Sequence, residues 1–202
     1  TNALNNYSGG TTVNSGATLQ GTTSSLQGNI TDNGTVAFNQ STTGTYADVI
    51  SGSGAVTVGG TGSVTLSNAN TYNGATTIAS GATLALSSSG SVANSAVTAN
   101  GAFDISAANS GGVSVVSLSG ASTGVVTLGS RTLTLSNASG TFAGAIGGTG
   151  RSAARSGTLR RAKPWPSPFR CKRIPPRPTA PCSACAIWCC AANSRQESGC
   201  PN

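Results

Sequence analysis

The stretch Gly60–Leu86, "GTGSVTLSNANTYNGATTIASGATLAL", decides the fold. In "SVTLSN" and "TTIASGATLALS", Val, Ile or Leu stand at alternate positions with Thr or Ser between them. Successive strand side chains point to opposite faces, so this alternation gives a strand one apolar and one polar side. β-Branched residues suit such a surface. Gly, Asn and Ser punctuate the runs, and these residues make turns by tolerating positive φ or bonding their own backbone. No apolar stripe with helical period is present, and the many glycines would weaken one.

The same pattern continues on both sides. Asn5–Leu19, "NNYSGGTTVNSGATL", matches Asn70–Leu84, "NTYNGATTIASGATL", at ten of fifteen positions. "TLSNA" occurs at Thr65–Ala69 and at Thr134–Ala138, and "YADVISGSG" (Tyr46–Gly54) is echoed by "FAGAIGGTG" (Phe142–Gly150). The offsets are 65, 69 and 96, a loose repeat with insertions. One hairpin of Thr and Val buries too little, at roughly 25 cal/mol per Å², to offset its ordering entropy. Stacking many such units supplies the missing burial. An all-β, right-handed parallel β-helix or β-solenoid is therefore expected over residues 1–150. At about 20 residues per coil it has about seven coils and, with strands about 4.8 Å apart, a length of about 34 Å. A β-sandwich, also built of short strands and turns, is the alternative.

Gly60–Leu86 also resembles the autotransporter-associated β-strand repeat of bacterial passenger domains. The residues at matching places are Gly60, Gly62, Val64, Thr65, Leu66, Asn70, Thr71, Tyr72, Gly74, Thr76, Ile78, Gly81 and Leu84. The chain departs from that pattern at Asn68, where Gly is usual, and by the extra Ala82 and Thr83. The resemblance implies the passenger of a type V secretion protein: a β-helical stalk or adhesin scaffold at the cell surface, or secreted. It implies one partner during export, an outer-membrane β-barrel translocator. Host or abiotic surfaces and other cells are the surfaces such a stalk would meet. No nucleic acid and no small-molecule substrate are expected for it. The alternative is the scaffold part of a secreted enzyme whose catalytic domain lies outside this sequence. The chain opens mid-pattern at "TNALNNYSGG" and reads as a fragment.

Composition divides sharply at Gly150. The 202 residues carry a net charge of +7. Residues 1–150 hold Asp32, Asp48, Asp104 and Arg131, a net of −2, and residues 151–202 hold ten Lys/Arg against Glu197, a net of +9. All six Cys, all eight Pro and both Trp follow Gly150. The change falls inside a repeat: after "GGTG" a strand such as "SVTL" is due, and "RSAARSGT" comes instead. Read one nucleotide earlier, codons for "KPWPSPFRCKR" (Lys163–Arg173) give an apolar/small alternation of the strand type. Residues 151–202 are thus an Arg/Pro/Cys-rich tail, read as a frameshift product or a non-homologous unstructured segment. Taken at face value, the basic tail would bind nucleic acid or metal. Its "CSAC" (Cys182–Cys185), Cys171, Cys189, Cys190 and Cys200 are candidate zinc ligands or a disulfide set. Its Arg run with Trp165 and Phe169 is a candidate nucleic-acid contact, and "RIPPRP" (Arg173–Pro178) a candidate polyproline ligand.

Residues 1–150 contain no His, Cys, Glu or Lys. Carboxylate pairs for glycoside hydrolysis and Ser-His-Asp sites lack their parts there. Each Asp sits beside turn residues, Asp32 in "TDNG", and reads as an Asx-turn former. Tyr7 and Tyr72, at equivalent repeat positions, read as packing residues, with a carbohydrate-facing aromatic ladder as the alternative. No catalytic, cofactor-binding or metal-binding residue is assigned, and the chain reads as non-enzymatic.

Overall fold

The computed structural model describes residues 9–154 and the backbone of Arg160–Arg161. The chain divides into Thr1–Ala162 and Lys163–Asn202, and the fold is that of the first unit. Its described residues are all strand and turn, wound into a right-handed β-solenoid of about seven turns.

A typical coil supplies up to three short strands. The first face carries β1 (Thr11–Val13), β3 (Ile30–Asp32) and β6 (Ile50–Ser51). The second carries β2 (Thr18–Gly21), β4 (Thr35–Asn39), β7 (Ala55–Gly59), β9 (Thr76–Ile78), β11 (Ala96–Ala99) and β14 (Ser117–Ser119). The third carries β5 (Gly44–Tyr46), β8 (Ser63–Leu66), β10 (Thr83–Ser88), β12 (Ala102–Ala108), β15 (Val125–Thr127) and β18 (Ala145–Gly147). Later coils place β13 (Val113–Val115), β16 (Thr132–Leu135) and β19 (Arg151–Ala154) between third-face and second-face strands, as β3 and β6 stand in earlier coils. β17 (Thr141–Phe142) pairs with β20 (Arg160–Arg161).

Every strand pairing among these elements is parallel, which excludes the antiparallel β-sandwich. The step is 20 residues between Val36 and Val56, between Val56 and Thr76, and between Val64 and Leu84. Register is fixed because a one-residue slip would turn each apolar set outward. Inward residues then stack in columns. Val64, Leu84, Phe103, Val126 and Ile146 form one, and Phe38, Val58, Ile78 and Ala99 another. All five aromatic residues between positions 9 and 154 are buried, with Phe38 and Tyr46 meeting edge to face at 5.4 Å. The few aromatics thus lie within the core.

The sequence repeats do not stack on themselves. Thr11–Val13 lies on the first face, whereas its repeat partner Thr76–Ile78 lies on the second. An offset of 65 residues is three coils and part of a fourth, so the copy lands one face further round. What is repeated is a corner. Ala17 N bonds Asn14 O at 2.9 Å, and Ala82 N bonds Ala79 O at 3.1 Å. The glycines at the same place in both turns, Gly16 and Gly81, have φ of 80° and 84°. Positive φ at the third turn position is the type II requirement for glycine. Gly60 shares that conformation (φ 81°) for another reason as well, since a Cβ there would overlap the Gln40 carbonyl of the coil before.

Candidate functional site

Polar side chains at inward positions break the alternation rule, and such conflicts mark the places to search. The column Leu19–Val36–Val56–Thr76–Val97–Leu118 is aliphatic except at Thr76. Thr76 is fully buried, as are Tyr72 and Ser95. Their hydroxyls lie 2.6 Å (Tyr72–Thr76) and 2.7 Å (Thr76–Ser95) apart, and Ser95 Oγ donates to Gly74 O at 2.7 Å. One direction satisfies every group: Tyr72 donates to Thr76, Thr76 to Ser95, and Ser95 to the carbonyl. Burial pushes the Tyr72 phenol far above its ordinary range, against the Thr76 and Ser95 hydrogen bonds; the charge of Asp32 adds to the rise. The phenol therefore stays protonated and serves as a donor. Tyr72 faces the interior, not a sugar.

Gln40 is a second inward polar residue. Its Oε1 accepts from Thr23 N and Oγ1 at 2.9 and 3.1 Å, while Nε2 donates to Thr42 O and Ser63 O at 2.9 and 2.8 Å. It clamps three successive coils. Asn70 does similar work, with Oδ1 accepting from Ile50 N at 2.8 Å and Nδ2 donating to Asn68 O at 2.9 Å. Buried amides fully paired in this way tie coil to coil.

Asp32 differs from these. It ends β3 at an inward position, paired in register with Val13, and none of its surface is exposed. Its Oδ1 accepts from Gly34 N at 2.9 Å, the Asx turn expected for "TDNG". Its Oδ2 is buried without a hydrogen-bond partner. The carboxyl presses on Gly54 of the next coil, where any Cβ would overlap it. Burial raises its pKa, opposed by the Gly34 and Val36 amides. The neighbouring Asn33 is exposed, and its Oδ1 accepts from Ser53 N at 3.4 Å and Ser53 Oγ at 3.2 Å.

The other sequence candidates are scattered. Asp104 Oδ1 accepts from Ser106 N at 2.9 Å, a local turn bond. Asp48 Oδ2 accepts from Gly28 N at 2.9 Å, a bond between coils rather than a local turn. Among the described residues, no three His, Cys, Asp or Glu side chains gather. Tyr7, Trp165, Phe169, "RIPPRP" and the six cysteines lie outside the described residues. Thr76, Ser95 and Gln40 were not singled out from sequence; the available signal was a polar residue at an inward parity. No protein-family model, curated protein or solved structure matches the chain.

Proposed function

We propose that the chain is a length of autotransporter-type passenger: a β-helical stalk or adhesin scaffold at the cell surface, or released from it, with no catalysis of its own. The observation that carries this reading is the parallel solenoid with in-register columns and a near-constant 20-residue step. In such a stack each coil needs only its neighbour. Ala55 N reaches back to Gly34 O, Val56 N forward to Ala75 O, and Ala79 N back to Val58 O, all at 2.9–3.0 Å. A chain threaded through an outer-membrane barrel can therefore fold coil by coil as it emerges. The repeat resemblance in Gly60–Leu86 supports the same reading.

The test places the full chain between an export signal and an outer-membrane β-barrel in a Gram-negative host. Protease added to intact cells is expected to reach the chain and to leave a resistant core spanning the solenoid. Accumulation of the chain in the periplasm, shielded from that protease, would overturn the proposal.

A further inference from the structure

The chain contains three Asn-Gly pairs at coil corners: Asn33–Gly34, Asn73–Gly74 and Asn100–Gly101. Such pairs can cyclise when the glycine nitrogen attacks the asparagine side-chain amide. The reaction needs a base for the glycine N–H and stabilisation of the oxygen that becomes negative. At Asn33 both are built in. Gly34 N–H already donates to Asp32 Oδ1 at 2.9 Å. The other oxygen of that carboxyl, Oδ2, is buried and unpartnered, so its charge is poorly solvated and it is a stronger base. Asn33 Oδ1, the oxygen that would take the charge, accepts from Ser53 N and Oγ at 3.4 and 3.2 Å. Asn33 itself is exposed, so water reaches it.

We infer that Asn33 is a self-modifying site, where Asp32 drives cyclisation of Asn33 with Gly34 and then hydrolysis to aspartate or isoaspartate. The Gly34 N–H proton passes to Asp32 as the N–Cγ bond forms. Ser53 holds the oxyanion. The Cγ–Nδ2 bond then breaks, and ammonia leaves with the proton from Asp32. Water opens the imide at either carbonyl and restores the Asp32 carboxylate. The isoaspartate product lengthens the backbone at the corner between β3 and β4.

The other two pairs are internal comparisons. Ala99 precedes Asn100, and Gly101 N donates at 3.3 Å to Ile78 O, a carbonyl that cannot take its proton. Asn100 Oδ1 does accept from Ala121 N at 3.0 Å, so it has the polarised amide without the base. Tyr72 precedes Asn73 and turns its proton toward Thr76.

The full folded chain is incubated at neutral pH, and peptide mapping follows the small mass gain and the isoaspartate at each pair. Asn33 is expected to convert at least about tenfold faster than Asn73 or Asn100, and D32N, which keeps an oxygen acceptor for Gly34, to slow it on the order of 100-fold, the low end for a general base. S53A, at an exposed corner, is expected to slow Asn33 severalfold and leave the other pairs unchanged. The three-site comparison in the unmodified chain stands even if D32N fails to fold. Equal conversion at the three pairs in the folded chain, or an unchanged Asn33 rate in folded D32N, overturns the proposal.

Discussion

The hydroxyl relay Tyr72–Thr76–Ser95 makes a prediction that distinguishes a coupled network from three separate bonds. T76V extends the aliphatic column between Val56 and Val97, so its packing term is favourable or neutral. Its cost is the stranded Tyr72 phenol, which loses an acceptor at 2.6 Å inside the core. A buried unsatisfied group costs about 1–3 kcal/mol, giving a net loss of about 1–2 kcal/mol. Ser95 is less affected because it keeps Gly74 O at 2.7 Å. Y72F removes one bond but leaves Thr76 its partner Ser95, for about 0.5–1.5 kcal/mol. In the double variant the phenol and its acceptor are both gone, and nothing is stranded between them. The double loss should fall short of the sum by about 1 kcal/mol, within the usual range for contacting residues. Urea unfolding followed by far-ultraviolet circular dichroism measures all three. Losses that add to within about 0.3 kcal/mol would refute the coupled relay.

Four further outcomes are expected. Asp32 has a folded pKa above its unfolded value, so its contribution is most favourable below the unfolded pKa and is lost as pH rises through the folded pKa. Urea midpoints between pH 3 and 8 should show that loss in the unmodified chain relative to D32N, and parallel profiles would refute it. G81A and G16A, at nearly equal φ in open space, should each cost about 1–2 kcal/mol for the left-handed backbone alone. G60A, at φ 81° but against the Gln40 carbonyl, should cost clearly more than G81A in the same urea assay. Phe103→Ala should lose about 3–5 kcal/mol from its stacked column, whereas Val125→Thr, 44% exposed, should stay within about 0.5 kcal/mol, both read by thermal unfolding.

Much of the architecture was legible because two simple periods coincide. Alternation in "SVTL" and "TLAL" gives strands with one apolar side, and the repeat of short strand-and-turn units gives the stack. The face on which each copy lands was not legible. Only the register shows that Thr11–Val13 and Thr76–Ile78 occupy different sides. The polar interior was hidden for a local reason. In "TTI" two adjacent threonines have opposite parity, and only Ile78 reveals that Thr76 points in and Thr77 out. Asp32 was read as a turn former from "TDNG". It is one, through Gly34, but it also occupies the inward place beside Val13, which its turn-forming neighbours disguise.

The break in composition after Gly150 meets the structure at β19. Its backbone continues the sheet, with Arg151–Ala154 in parallel register on Thr132–Leu135. Its side chains do not continue the columns, since Ser152 falls on Leu133 and Ala154 on Leu135, and all four β19 residues are exposed. The two ladders obey different rules. Backbone pairing is blind to side chains and extends onto any strand-length segment beside an open edge. A column needs an apolar residue at each inward place, and that depends on sequence alone. Where the columns run, as at Val64–Leu84–Phe103, both ladders agree and the coil is held from inside and along its edge. At β19 only the edge ladder remains, so the sequence change that begins at Arg151 is felt first as a loss of interior packing.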